Sequence, residues 1–173
     1  MGAQLTLVIG GARSGKSRYA ETLIAALPPP WIYVATAQAL DAEMTARIAA
    51  HRARRGAGWI TVEAPGELAA TLAAHANAPI LVDCLTLWLS NLMMADARID
   101  AELDRLELAL AEATAPVVLV ANEVGSGIVP DNALARRFRD LQGALNQRIA
   151  AQADQVVLVV AGLPLIVKGR PTE

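Results

Sequence analysis

Five short runs of aliphatic and β-branched residues punctuate the chain: LTLVIG (5–10), WIYVAT (31–36), PILVDC (79–84), PVVLVAN (116–122) and QVVLVVAG (155–162). Most are continuously apolar, the pattern of strands covered on both faces. Between them, segments 15–27, 41–55, 66–76, 101–113 and 133–151 carry apolar residues at helical spacing. The alternation predicts an α/β fold: a mostly parallel sheet with helices on both faces. WITVE (59–63) reads as a weaker strand at an edge. Pro28 to Pro30 end the first helix, and Pro79 and Pro116 stand at strand entrances, where a missing backbone donor costs least. No repeat, low-complexity tail or interdomain linker is visible.

The first strand leads into GGARSGKS, which fits G-x-x-x-x-G-K-[ST] from Gly10 to Ser17. Such a loop needs a strand before it and a helix after it, because its backbone N–H groups and the helix N-terminus together make the anion site. LTLVI and KSRYAETLIAAL supply both. The spacing therefore predicts a P-loop NTPase fold in which Gly10, Gly11, Ala12, Arg13, Ser14, Gly15, Lys16 and Ser17 cradle a nucleotide. Lys16 meets the β and γ phosphates, and the Ser17 hydroxyl suits Mg²⁺. Asp83, closing a second strand, is the matching carboxylate on the metal side. Its competing reading is a polar residue that merely ends the strand.

The segment YVATAQALDAEMTARIAAHRARRGAGW adds a second chemistry. Asp41 is suited to cap a helix, along which Leu40, Met44 and Ile48 form an apolar stripe. Glu43, Arg47, His51 and Arg55 form a parallel polar row at four-residue spacing. Nearby positive charge disfavours imidazolium, so Arg47, Arg52, Arg54 and Arg55 should hold His51 neutral at pH 7 and leave it nucleophilic. A solvated basic face with an incidental histidine is the competing reading. His75, in an alanine-rich helix, reads as a surface residue.

Composition narrows the classes. The chain has 173 residues, 54% of them hydrophobic and 3% aromatic, which predicts one domain over residues 1–173 with an aliphatic core. A net charge of −2 gives no support for nucleic-acid or membrane-surface binding. No apolar run reaches the roughly 20 residues of a membrane span. The opening residues lack the basic region of a cleavable leader, and the single cysteine, Cys84, reads as a small buried residue. Both agree with a cytoplasmic protein.

Five stretches together carry a resemblance: GGARSGKSRYAE, YVATAQALDAEMTARIAAHRARR, LVDCLT, NEVGSGIVPDNALARRFRD and LNQRIAAQADQVVLVVAG. Over nearly its whole length the chain resembles the bifunctional adenosylcobinamide kinase / adenosylcobinamide-phosphate guanylyltransferase family of cobalamin biosynthesis. The phosphate loop alone would identify only a superfamily; its combination with AT-x(4)-D-x-EM-x-x-RI-x-x-H and NEVG-x-GIVP is far more specific. The resemblance implies phosphorylation of adenosylcobinamide by ATP or GTP, then transfer of GMP from GTP to that phosphate through a guanylylated histidine. The matching histidine is His51. It further implies nucleotide contacts at the phosphate loop, at Ala35, Thr36 and Ala37, at Arg52, Ala53, Arg54 and Arg55, and at Glu63 and Asp83, together with a homotrimeric assembly. One departure is Ala50, where some relatives carry a second histidine. In NEVGSGIVPDN, Asn122 and Glu123 end a strand at the ligand-binding edge, and Asp131 or Asn132 starts the next helix, on which Arg136 and Arg137 meet phosphate, another subunit or solvent. The rivals are a small-molecule kinase without guanylyl transfer and a nucleotide-dependent switch or DNA-associated ATPase.

Overall fold

In order along the chain the elements are β1 (Leu5–Gly10), α1 (Lys16–Ala25), β2 (Trp31–Ala35), α2 (Ala42–Arg54), β3 (Trp59–Glu63), α3 (Leu68–Ala74) and β4 (Ile80–Asp83), followed by α4 (Leu85–Met94), α5 (Ile99–Glu112), β5 (Val117–Asn122), α6 (Ala133–Gln152), β6 (Gln155–Val160) and β7 (Leu163–Lys168). The structure, a computed structural model, describes residues 4–39 and 41–170; of Glu43, Arg47, His51 and Arg54 it describes the backbone alone. Leu40 lies outside the described residues.

Among the described residues the strands form one sheet in the order β3-β2-β4-β5-β1-β6-β7. All neighbours are parallel except β6 and β7, which are antiparallel. The continuous apolar runs have the expected cause, since successive strand residues enter opposite cores. Leu7, Ile32, Val34, Ile80, Val82, Val117 and Leu119 pack on one face with Leu68, Trp88, Leu106 and Leu145 from the helices. Val8, Tyr33, Leu81, Val118 and Val120 pack on the other with Ala20 and Ile24 of α1. WITVE is an edge strand, as its half-polar pattern predicts.

Two capping expectations hold. The Asp41 carboxylate accepts from the Met44 N–H at 2.7 Å, and Asn132 accepts from the Ala135 N–H at 2.7 Å. Two elements differ from the sequence reading. The run 85–94 forms α4, which buries Leu85, Trp88, Leu89 and Leu92 and so lacks the half-polar period of a surface helix. Residues 155–162 are not one terminal strand but β6 and the start of a hairpin. Ala161 and Gly162 have φ of 52° and 80°, and two successive positive φ values make the tight turn that reverses the chain into β7. Pro164 is tolerated because β7 is an edge. No helix among the described residues is long and apolar enough to cross a membrane.

Candidate active site

The phosphate loop leaves the sheet from an interior strand, β1, which lies between β5 and β6. A Cβ at Gly10 would stand 2.6 Å from both the Ser14 Oγ and the Val159 carbonyl oxygen, so the first position of the motif admits only glycine. Gly15 caps α1 with φ 95°, a left-handed conformation that side chains resist. The hairpin turn braces the loop from outside, as the Gly162 N–H donates to the Ser14 carbonyl at 2.8 Å. Lys16 is buried, and its Nζ donates to the Gly11 carbonyl at 3.0 Å. An ammonium fixed at the mouth of a helix N-terminus, beside backbone N–H groups, is an anion site.

Beside the loop lies a cavity of 450 Å³. Lys16 and Ser17 line it from α1, Ala35 from the end of β2, Glu63 from β3, Asp83 from β4 and Asn122 from β5, so five strand and helix ends converge on it. This is the carboxyl edge of the sheet, where open α/β folds bind ligands. Helix α2 forms the opposite wall through Met44, Ile48 and Arg52, with Arg55 just beyond its end. Position 51, three residues after Ile48 and four before Arg55, belongs by backbone register to the same side of α2. The His51 side chain, like that of Arg54, lies outside the described residues.

Of the sequence-predicted residues, Lys16, Ser17, Ala35, Ala37, Arg52, Arg55, Glu63 and Asp83 are thus brought to one cavity. Gly10 to Gly15 form its phosphate-loop rim without lining it, and Ala53 is exposed on α2. Thr36 sits between two lining residues, but its side chain is fully buried elsewhere. Its hydroxyl donates to the Cys84 carbonyl at 2.7 Å and accepts from the Cys84 N–H at 2.8 Å, tying the end of β2 to the residue after Asp83. Cys84 is buried as expected, and burial, reinforced by the Asp83 charge, pushes its thiol up to about 11. His75 is half-buried at the end of α3.

Three features escape sequence reasoning. Tyr33, hidden in an apolar run, donates its hydroxyl to Asp83 Oδ2 at 3.0 Å, while the Arg55 guanidinium lies over its ring, 3.5 Å from the centroid. Burial, and then the Asp83 charge, raise the phenol far above its ordinary range, so it stays a proton donor. Asn122 Oδ1 is buried with no hydrogen-bond partner among the described residues, although its backbone is held by Thr86 and Asn146. Within NEVGSGIVPDN, Glu123 accepts from the Gly125 N–H and the Ser126 hydroxyl at 2.7 and 2.9 Å. Arg136 donates to the Pro130 and Asp131 carbonyls, holding the loop's own backbone.

The donors fit a magnesium ion of the kind held largely by substrate phosphates. Ser17 and Asp83 offer hard oxygens on the same cavity, and no group of three or more His, Cys, Asp or Glu is gathered as a self-sufficient metal cluster among the described residues.

The family model for cobinamide kinase / cobinamide phosphate guanyltransferase matches residues 6–167. The chain is 52% identical to a bifunctional adenosylcobalamin biosynthesis protein, CobP, of Pseudomonas aeruginosa, the match covering 95% of this chain and 98% of the relative. It is 46% and 42% identical to bifunctional adenosylcobalamin biosynthesis proteins, CobU, of Salmonella typhimurium and Escherichia coli, covering 95% of this chain and 99% of each. A solved KaiC-like protein from Pyrococcus horikoshii OT3 shares the fold with a TM-score of 0.54 at 14% identity, covering 98% of this chain and 80% of that one.

Proposed function

This chain belongs to the cobinamide kinase / cobinamide phosphate guanyltransferase family, and from that premise we propose that the cavity beside the phosphate loop carries out both reactions. The carrying observation is the pairing of a phosphate loop and a metal-side carboxylate with Arg52 of α2 and Arg55 just past its end across a single 450 Å³ space. A loop of this kind alone fits any phosphate-loop kinase; a facing basic helix that also holds a histidine fits transfer at the α phosphate as well.

In the kinase step the terminal hydroxyl of adenosylcobinamide attacks the γ phosphorus of ATP or GTP, the bond to the β-phosphate oxygen breaks, and the nucleoside diphosphate leaves. Lys16 and the α1 N-terminus hold the phosphates, and Arg52 and Arg55 offset their charge. Ser17 and Asp83 would hold Mg²⁺ together with the phosphates, where the ion would supply positive charge against the leaving oxygens. In the transfer step His51 attacks the α phosphorus of GTP and expels pyrophosphate, leaving GMP on the imidazole through a P–N bond. The phosphate of adenosylcobinamide phosphate then displaces the histidine and gives adenosylcobinamide-GDP. Residues 1–173 act as one domain in this reading; the family resemblance adds a homotrimer, which light scattering would check, and the single cysteine agrees with a cytoplasmic setting.

The test separates the two steps. Incubation with GTP labelled at the α phosphate should leave label on the protein, labile to acid and resistant to base. His51→Ala should lose that label and the GDP-linked product while keeping substantial phosphorylation of adenosylcobinamide. Label persisting on the alanine variant would sink the assignment.

A further inference from the structure

We infer that Tyr33 is a positioning residue that joins the two halves of this cavity, its ring carrying Arg55 toward the triphosphate and its hydroxyl setting the metal-side carboxylate of Asp83. The inference rests on the reading that the cavity holds the triphosphate.

Tyr33 stands on β2, between β3 and β4, with its side chain on the α1 face of the sheet. Trp59 of β3 meets it edge-on, with ring centroids 6.2 Å apart, and Trp31 packs in turn on Trp59 at 5.3 Å, so the phenol ring has a fixed wall behind it. On its open side the ring supports the Arg55 guanidinium at 3.5 Å. Two donors of that guanidinium, Nε and Nη1, are buried and have no hydrogen-bond partner among the described residues. A desolvated fork of donors, held flat by an aromatic face at the edge of a phosphate-binding cavity, is built to receive anionic oxygens. The other end of the same side chain donates at 3.0 Å to Asp83 Oδ2, which restricts how that carboxylate turns. Arg55 and Asp83 come from different elements, and Tyr33 touches both.

The experiment reads equilibrium binding of N-methylanthraniloyl-GTP, with and without Mg²⁺, to the full chain, so it needs no turnover. Tyr33→Leu removes the ring and should weaken Mg²⁺-free binding about 3- to 30-fold, the span of a desolvated cation–π contact. Tyr33→Phe keeps the ring and should bind Mg²⁺-free nucleotide within about twofold of the wild type, while raising the Mg²⁺ concentration for half-maximal enhancement about threefold through a less restrained Asp83. In an Arg55→Ala background, Tyr33→Leu should add less than about twofold, because its effect passes through the arginine. Should Tyr33→Leu not fold, 3,4,5-trifluorophenylalanine at position 33 keeps the ring's shape and withdraws its negative face, and should weaken binding relative to Phe. Equal loss from Tyr33→Leu in both backgrounds, Phe behaving like Leu, fluorination without effect, or unchanged Mg²⁺ dependence in Tyr33→Phe would each overturn the inference. A wild-type chain that binds no GTP would instead sink the reading of the cavity itself.

Discussion

Replacing Lys16 by Met removes one buried charge together with its hydrogen bond to the Gly11 carbonyl, while the thioether chain refills most of the space of the lysine stem. The ammonium sits in a side chain that is only 9% exposed, with Nζ 3.0 Å from the Gly11 carbonyl at the rim of the cavity. A phosphate oxygen about 4 Å away, at an effective dielectric near 20, interacts with such a charge by about 4 kcal/mol. Removing one preorganised donor from a charge-stabilising site costs about 2.7–4 kcal/mol in measured cases, or about 10² to 10³ in rate. The two routes agree, so turnover should fall about 10² to 10³-fold. Both proposed reactions use a triphosphate on the same loop, so both should fall by the same factor. Transfer of label from γ-labelled ATP to adenosylcobinamide reads one, and protein labelling from α-labelled GTP reads the other. Thermal melting should stay within a few degrees of the wild type, since no apolar contact is lost. Turnover within about threefold of wild type would refute the reasoning, and loss of one reaction alone would show that the two use separate phosphate sites.

Asp83→Asn keeps an acceptor for the Tyr33 hydroxyl and removes the charge; melting should be unchanged while the Mg²⁺ needed for half-maximal activity rises about tenfold, and unchanged Mg²⁺ dependence would count against a metal-side role. Cys84, raised from 9.0 to about 11 by burial, should be alkylated at pH 8 about a hundredfold more slowly than an ordinary thiol, and at the ordinary rate in urea. Its folded-state value lies above the unfolded one, so this thiol's contribution to stability is complete below pH 9 and lost as pH rises to about 11, which urea titrations at pH 8 and pH 11 would register against Cys84→Ala. Amide exchange in α2 should be the fastest of the longer helices and should slow when GTP is added, because most of its described side chains are exposed; fast exchange spread evenly over α5 and α6 would contradict this.

The phosphate loop was legible because its chemistry dictates both residue type and spacing: glycine where the backbone turns and closes on itself, lysine and serine at the helix start. The cap at Asp41, and the cap left between Asp131 and Asn132 that the structure gives to Asn132, were legible for a similar reason, since a short polar side chain must reach its own backbone three residues ahead. Helix α4 was not. Its core-facing Leu85, Trp88, Leu89 and Leu92 lie among Leu87, Met93 and Met94, and an apolar residue on every side erases the helical period. The β6–β7 turn was hidden because Gly162 and Pro164 read as the end of a strand, when Gly162 instead reverses it. Thr36 lies between Ala35 and Ala37, which line the cavity, yet its hydroxyl is bonded to Cys84, 48 residues away, a partner no local pattern points to. Tyr33 sits in WIYVAT as one more strand residue; its one available signal was a polar tip in a buried run, which requires a partner when desolvated.

These placements give the two halves of the cavity different mechanical characters. The phosphate loop rises from β1, flanked by β5 and β6 and braced at Ser14 by the hairpin turn, so it is held on three sides. Helix α2 instead lines the cavity through Met44, Ile48 and Arg52, and among its described side chains Met44 and Ile48 are half-buried while Thr45, Ala46, Ala49, Ala50, Arg52 and Ala53 are exposed. A helix with so little buried apolar surface is the element whose position a ligand can most readily reset. The two proposed reactions demand such an asymmetry. Phosphoryl transfer at the γ position and nucleotidyl transfer at the α position place the reacting phosphorus two phosphates apart on the same kind of substrate. With the loop fixed, the basic helix is the part that must accommodate both. Arg55, just past the end of that helix and seated on Tyr33 of the sheet, then marks where the adjustable wall is pinned to the rigid one.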